Sequence, residues 1–201
     1  MPRISAPTLV EHRERQREAL LDAARELALD TAGQGITVAA VAERAGLARS
    51  SVYEYYPSTD SLMAHLVTVD LSHLAEDVAA RMSRAADAEQ RVAAFIRAWI
   101  AYRTGRAQQV VSAVLAGAVP PECTAAVAHL ETSATAPLVA ALNELGVRDP
   151  ERSAAFVRGV ADQAAGRIAS GAGVRAETAA AERFSLSGLG VNATDSPNAA
   201  P

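Results

Sequence analysis

Lysine is absent from this sequence of 201 residues, and all 19 of its cationic side chains are arginine. The absence excludes a Schiff-base lysine, the lysine-containing phosphate loop and a serine–lysine dyad. A single cysteine, Cys123, excludes an intrachain disulfide and a paired-cysteine metal site, and it favours a reducing compartment. The four histidines and this cysteine form no ligand cluster in the sequence, so we expect neither a bound metal nor another cofactor.

Long apolar runs are also missing. The first ten residues lack the apolar core of a signal peptide, and the longest weakly charged run, residues 107–119, is too short to span a bilayer. We therefore expect a cytoplasmic protein without membrane contact. The HExxH, GxSxG and dinucleotide-binding motifs do not occur, so the sequence does not predict an enzyme, and we assign no catalytic residue.

Alanine is abundant, with 47 residues, whereas aromatic residues make up only 4% of the chain. Alanine loses no side-chain entropy in a helix, and the β-branched residues that favour strands are sparse. This composition predicts an all-α fold. The net charge of −4 differs from the strongly basic balance of proteins that coat nucleic acid without sequence preference.

Apolar residues recur at helical spacing along most of the chain. Thr37 is expected to cap one helix and Ser58 a long one, and Pro137 is expected to kink or break another. The expected helices are residues 10–32, 38–45 and 49–56, the long helix after Ser58, and residues 88–104, 107–118, 122–145, 150–171 and 174–184.

Two short helices flanking Gly46 form the most informative part of the sequence. Ala42 lies four residues before this glycine, and Val52 lies six residues after it. A small residue lets two helices cross closely, glycine adopts a left-handed turn without a steric penalty, and a branched apolar residue fills the corner. These three residues are therefore the expected scaffold of a helix-turn-helix, whose second helix can enter the major groove of DNA.

The same stretch resembles the TetR family of bacterial transcriptional regulators over residues 18–65. The matching residues are Ala23-Ala24, Thr37-Val38, Val41-Ala42, Ala45-Gly46-Leu47, Ser51-Val52-Tyr53, Tyr56-Pro57-Ser58, Asp60 and Leu62. The resemblance implies an all-α homodimer, in which three N-terminal helices bind pseudo-palindromic operator DNA. The remaining helices would form a bundle that binds a small-molecule inducer and dimerises, so the expected function is a repressor that the inducer releases from its operator.

Local composition and this resemblance together divide the chain into four expected regions. They are a flexible arm (residues 1–9), a helix-turn-helix DNA-binding domain (10–57), a helical ligand-binding and dimerisation domain (58–184) and a disordered tail (185–201).

Four positions depart from the family pattern. Thr59 replaces a lysine that contacts phosphate, and Glu54 lies in the recognition helix where a basic residue is common, so both are expected to weaken DNA binding. Tyr56 replaces the usual phenylalanine, and Ala28 replaces a bulky aromatic residue of the first helix.

The first residues of the second motif helix, Arg49, Ser50 and Ser51, are the candidates for contact with base edges. Arginine can donate to both O6 and N7 of guanine. The alternative is that these side chains only solvate an exposed helix. Arg13, Arg15 and Arg17 could also reach the DNA, although interleaved glutamates make a solvated face equally compatible. The candidates for phosphate contact are Thr37, Tyr53, Tyr55, Ser58 and Thr59.

Three of the eight aromatic residues, Phe95, Trp99 and Tyr102, lie at i, i+4 and i+7 on one helix face. Such a wall suits a pocket for a small apolar or aromatic inducer, and simple core packing is the alternative. Leu66 and His73, on the apolar stripe of the preceding long helix, complete the candidate ligand site, although a core histidine is also compatible there.

Gly159 and Gly166 are separated by seven residues, with alanines nearby. Small residues on one stripe allow two helices to approach closely, which predicts a dimer interface in the 150–171 helix. Packing of that helix within the protomer is the alternative. At the level of function, a binding or scaffold protein that has lost operator binding and a helical enzyme are the competing classes.

Overall fold

The computed structural model describes residues 6–116 and 121–190. In these two stretches the chain forms nine α-helices and no β-strand, so the predicted all-α class is confirmed. The helices are α1 (Ala6–Asp30), α2 (Val38–Ala45), α3 (Arg49–Tyr53), α4 (Thr59–Ser83), α5 (Ala88–Arg103), α6 (Arg106–Ala116), α7 (Pro121–Glu144), α8 (Pro150–Ala169) and α9 (Val174–Gly188). None of these helices is both long and apolar enough to cross a membrane.

The described residues divide into two compact units. The first unit contains α1 to α3, the part of α4 up to Leu71, and the described residues between Gln109 and His129. The second unit contains Ser72–Gln108 and the described residues from Leu130 onward. Helix α2 packs against α1 and α3 in the first unit, whereas α5, α8 and α9 pack against one another in the second.

Local capping signals set the ends of α2, as the sequence predicts. Thr37 has extended backbone torsions, and its hydroxyl oxygen accepts a hydrogen bond from the amide of Ala40 at 3.1 Å. At the other end Gly46 has φ +66°, and the amide of Leu47 donates to the carbonyl of Ala42 at 2.9 Å. Both contacts satisfy backbone groups that a helix terminus leaves without partners.

The turn after α1 lies directly against α6. Gly33 has φ +79°, and a Cβ atom built on it would lie 1.9 Å from the carbonyl oxygen of Ala113. No side chain could occupy that space without moving the backbone of one of the two segments. The first unit therefore requires glycine at this position for both conformation and space.

Two predicted boundaries are wrong. Helix α1 begins at Ala6, inside the predicted flexible arm, because a proline such as Pro7 is tolerated in the first turn of a helix. Helix α9 continues to Gly188, into the predicted disordered tail, where the side chain of Ser185 is buried. Packing of this segment against the rest of the fold keeps it helical, although its polar local sequence does not favour a helix. The rest of the predicted arm and tail, residues 1–5 and 191–201, lies outside the described residues.

Pro137 does not break α7, which is continuous from Pro121 to Glu144. A proline inside a helix costs about 3 kcal/mol, because it removes one backbone hydrogen bond and crowds the preceding turn. Leu138, Ala141 and Leu142 are buried immediately after it, so their packing offsets this cost.

The apolar stripe of α4 follows a different path from the predicted one. Leu66 is fully buried, but the stripe then continues through Asp70 and Leu74, and His73 is exposed. The prediction that His73 lies on a buried stripe is therefore wrong. The cause is Arg25 of α1, whose Nη2 donates to Asp70 at 2.7 Å and lets a carboxylate occupy the buried face.

Candidate nucleic-acid interface

The three scaffold residues of the helix-turn-helix lie where the sequence places them. Ala42 and Val52 are buried at the crossing of α2 and α3, and Gly46 adopts the left-handed conformation in the turn between them. The small side chains at this crossing let α2 and α3 pack closely. The face of α3 opposite the corner is left exposed to solvent, as a recognition helix requires.

Arg49 is the first residue of α3 and is exposed. Its guanidinium donates to the hydroxyl of Tyr53 at 3.0 Å and lies 5.7 Å from the centroid of that ring. Tyr53 is one helical turn further along α3 and is 44% exposed. Arg49 thus lies on the outer face of the helix without a carboxylate partner among the described residues. Ser50 is also exposed there, and Ser51 is half-buried.

Helix α4 begins with a reciprocal pair of serines. The Ser58 hydroxyl accepts from the amide of Ser61 at 3.1 Å, and the Ser61 hydroxyl accepts from the amide of Ser58 at 3.2 Å. The hydroxyls of Thr37 and Ser58 therefore use an acceptor site for helix capping. Each hydroxyl proton is still able to donate to a phosphate oxygen. Thr59 is half-buried in the first turn of α4.

Tyr55 and Tyr56 follow α3 and have different surroundings. The Tyr55 hydroxyl donates to Oε1 of Gln16 on α1 at 2.6 Å. Tyr56 is buried, its ring centroid is 5.7 Å from that of His65, and its hydroxyl has no hydrogen-bond partner among the described residues. Burial raises the pKa of the Tyr56 hydroxyl and lowers the pKa of the His65 imidazole, because both charged forms lose hydration.

The charges around the motif are partly neutralised. Arg44 of α2 donates to Asp30 at 2.9 Å and to Glu26 at 3.2 Å, and these hydrogen bonds raise its pKa. Glu54 is exposed at the C-terminal end of α3. A carboxylate there repels phosphate if the end of the helix faces the DNA backbone.

The aromatic residues proposed as a ligand wall form one cluster on α5. Phe95 and Trp99 are stacked with centroids 5.5 Å apart, and the Tyr102 ring is 6.4 Å from that of Trp99. The indole Nε1 of Trp99 donates to Asp162 of α8 at 2.9 Å, and only 3% of the residue is exposed. Trp99 therefore contributes to the packing of α5 against α8, and the role of this cluster as a ligand wall stays a prediction.

The glycines proposed for the dimer interface lie on an open surface of α8. Gly159 and Gly166 are exposed, and apart from the adjoining backbone of α8 no atom of the described residues lies within 4 Å of a Cβ built on either. Phe156, one turn before Gly159, is 68% exposed, and Phe184 of α9 is 69% exposed. Both phenylalanines line a groove of about 440 Å³ together with Gly159.

Sequence reasoning missed these two phenylalanines. The available signal was the spacing of Phe156 and Gly159, since residues three apart share one helix face. It also missed the contact of Arg25 with Asp70, for which a sequence carries no comparable signal because the two residues are 45 positions apart.

Residues 20–66 match the family model of bacterial regulatory proteins, tetR family. A curated relative, the HTH-type transcriptional regulator BetI of Rhizobium meliloti (strain 1021), is 31% identical over 102 residues. The aligned region is 50% of this chain and 49% of the relative, so the chain matches about half the length of that protein.

Solved structures share the fold at low sequence identity. FadR from Bacillus subtilis, solved in complex with stearoyl-CoA, has a TM-score of 0.71 at 16% identity, over 85% of this chain and 98% of that chain. A protein from Saccharomonospora viridis, solved in complex with choline, has a TM-score of 0.69 at 14% identity, over 85% and 95%. The helix-turn-helix of α2 and α3 lies within residues 20–66, the part of the chain that is similar to the tetR family of bacterial regulatory proteins.

Proposed function

We propose that this chain is a transcriptional repressor that binds operator DNA and is released from it by a small molecule. The observation that carries the proposal is the helix-turn-helix of α2 and α3, whose outer face presents Arg49 with its charge not neutralised by a carboxylate. An arginine at the start of a recognition helix can contact guanine, and the hydroxyls of Thr37, Ser58 and Thr59 are suited to phosphate oxygens.

A homodimer is part of the proposal, with the exposed face of α8 and α9 as its interface. Phe156 and Phe184 expose apolar area that water solvates poorly, and Gly159 allows a second helix to approach. A two-fold dimer would present two copies of α3 and would bind two half-sites of a pseudo-palindrome. Relative to the parent, Phe156→Ser with Phe184→Ser is expected to produce monomers in sedimentation, whereas Val174→Ser, at an apolar residue outside that groove, is expected to remain dimeric.

For the ligand, we propose a small apolar or aromatic molecule bound in the region that contains α5. Two structures of the same fold hold small molecules, stearoyl-CoA in one and choline in the other, which supports a ligand site in this fold. Trp99 is the only tryptophan of the chain, so its fluorescence reports on α5 without labelling. A true inducer is expected to change this emission and to lower DNA affinity at the same concentrations, because binding and release are thermodynamically linked.

The test of DNA binding is selection of double-stranded DNA from a random library by the whole protein. We expect an inverted repeat whose affinity greatly exceeds that of unrelated DNA and falls as salt rises. Equal binding of all sequences, or no binding, would contradict the proposal. Either result would favour the second candidate, a helical scaffold protein that has lost operator binding. The specific observation for that candidate is the exposed Glu54 on α3.

A further inference from the structure

The arginines of the first three helices differ in the side chains that they contact. Arg17, Arg25 and Arg44 each lie within 4 Å of a carboxylate oxygen. Arg13 and Arg49 instead lie over tyrosine rings, and neither forms a salt bridge with a carboxylate among the described residues. A tyrosine ring orients a guanidinium without neutralising it. The tyrosine rings therefore orient the two guanidinium groups, and no carboxylate among the described residues neutralises them.

Arg13 is placed beside the end of α3 by Tyr55. Its guanidinium carbon lies 5.9 Å from the centroid of the Tyr55 ring. The Tyr55 hydroxyl donates to Gln16, which is three residues further along α1 and on the same face of that helix as Arg13. One tyrosine thus contacts two residues about one turn apart on α1 and fixes this face of the helix next to the residues that follow α3.

We propose that Arg13 is a DNA-backbone contact of this protein and that Tyr55 and Gln16 position it. The inference rests on the proposed function, since it requires that α3 faces DNA. A phosphate is the expected target because Arg13 belongs to α1 and not to the recognition helix, and because the guanidinium fork matches two phosphate oxygens. Holding the side chain over Tyr55 before binding reduces the entropy that its ordering would otherwise cost.

The test is the salt dependence of affinity for DNA selected by the protein and for unrelated DNA. Arg13→Ala is expected to lower affinity for both and to reduce the slope of log K against log salt by about 0.9 per protomer, because one phosphate contact is lost. Arg15→Ala is the matched control. It removes one exposed charge from the same helix, at a side chain that donates to the carbonyl of Glu11, and its slope is expected to change by less than half as much.

Gln16→Ala tests the positioning. It leaves every charge in place but removes the partner of the Tyr55 hydroxyl, so affinity is expected to fall while the salt slope stays that of the parent. Equal slopes for the parent and Arg13→Ala, or equal changes for Arg13→Ala and Arg15→Ala, would overturn the inference alone. A parent protein that binds no DNA would overturn the proposed function itself. Thermal melting of each variant shows that the effect is not loss of folding.

Discussion

The glycines of the first unit and those of α8 differ in backbone conformation and in the space around them. Gly33 and Gly46 have positive φ angles, and Gly33 also lies against the backbone of α6. Gly159 and Gly166 lie inside a regular helix, and apart from the adjoining backbone of α8 nothing among the described residues lies within 4 Å of a Cβ at either. The protomer therefore requires the first pair, whereas nothing described in the protomer requires the second. The proposed dimer interface would supply the neighbour that the second pair lacks within the protomer.

The largest effect is expected at Gly33. Gly33→Ala forces a Cβ into the carbonyl of Ala113 and a side chain into a left-handed conformation, and together these should cost about 3–4 kcal/mol of unfolding free energy. Gly35→Ala is the control, because Gly35 has φ +65° but open space around it, and it should cost about 1 kcal/mol. Urea unfolding measures both. Equal losses would show that the contact with α6 is unimportant.

The next effect concerns the ion pair inside the first unit. Asp70→Ala leaves Arg25 with only its second partner, Asp22, and removes a buried contact between α4 and α1, so we expect a loss of about 2 kcal/mol. Asp77→Ala removes a half-exposed partner of Arg81 on the same helix and should change stability by less than about 0.5 kcal/mol. If the two variants melt alike, the pair of Arg25 and Asp70 does not hold α1 to α4.

The third effect concerns Tyr56, whose buried hydroxyl has no hydrogen-bond partner among the described residues. Tyr56→Phe is expected to stabilise the protein by about 1 kcal/mol, since it removes a desolvated polar group and keeps the ring. Tyr55→Phe, one residue earlier, removes a hydroxyl that is bonded to Gln16 and is expected to destabilise it by about 1 kcal/mol. A loss of stability in both variants would mean that Tyr56 has a partner in solution.

The smallest effect is a change in stability that is expected to have opposite signs for a glycine of α8 and a glycine of the first unit. In the Phe156→Ser, Phe184→Ser background, Gly166→Ala is expected to stabilise the protomer by about 0.5–1 kcal/mol, because alanine is the better helix former and meets no neighbour. Gly46→Ala in the same background should destabilise it by about 1 kcal/mol, because Gly46 has φ +66°. Destabilisation by both substitutions would place a close neighbour of Gly166 inside the protomer.

The parts of the fold that depend on local signals could be predicted from the sequence. The Thr37 cap, the Gly46 turn and the start of α3 at Arg49 each follow from residues within a few positions, and the structure has all three. The candidate DNA contacts come from the same stretch, so their places on exposed or half-buried surface were also predictable, although their roles stay a prediction.

Features that depend on distant partners could not be predicted in this way. An aspartate is expected to be exposed, so the sequence does not predict that Asp70 is buried. Its partner Arg25 lies 45 positions away, where no local pattern connects the two residues. The aromatic spacing on α5 predicts a shared face but not that Asp162 of α8 accepts from Trp99. Pattern alone likewise did not reveal that α1 extends to Ala6.

The central claim is that α3 reads DNA through Arg49, and repeating the selection from random DNA with Arg49→Ala tests it most directly. The account predicts a loss of about 1–3 kcal/mol in binding to the parent operator and relaxed preference at one base pair in each half-site, with folding unchanged. An Arg49→Ala protein that selects the same sequence with the same affinity would contradict the account.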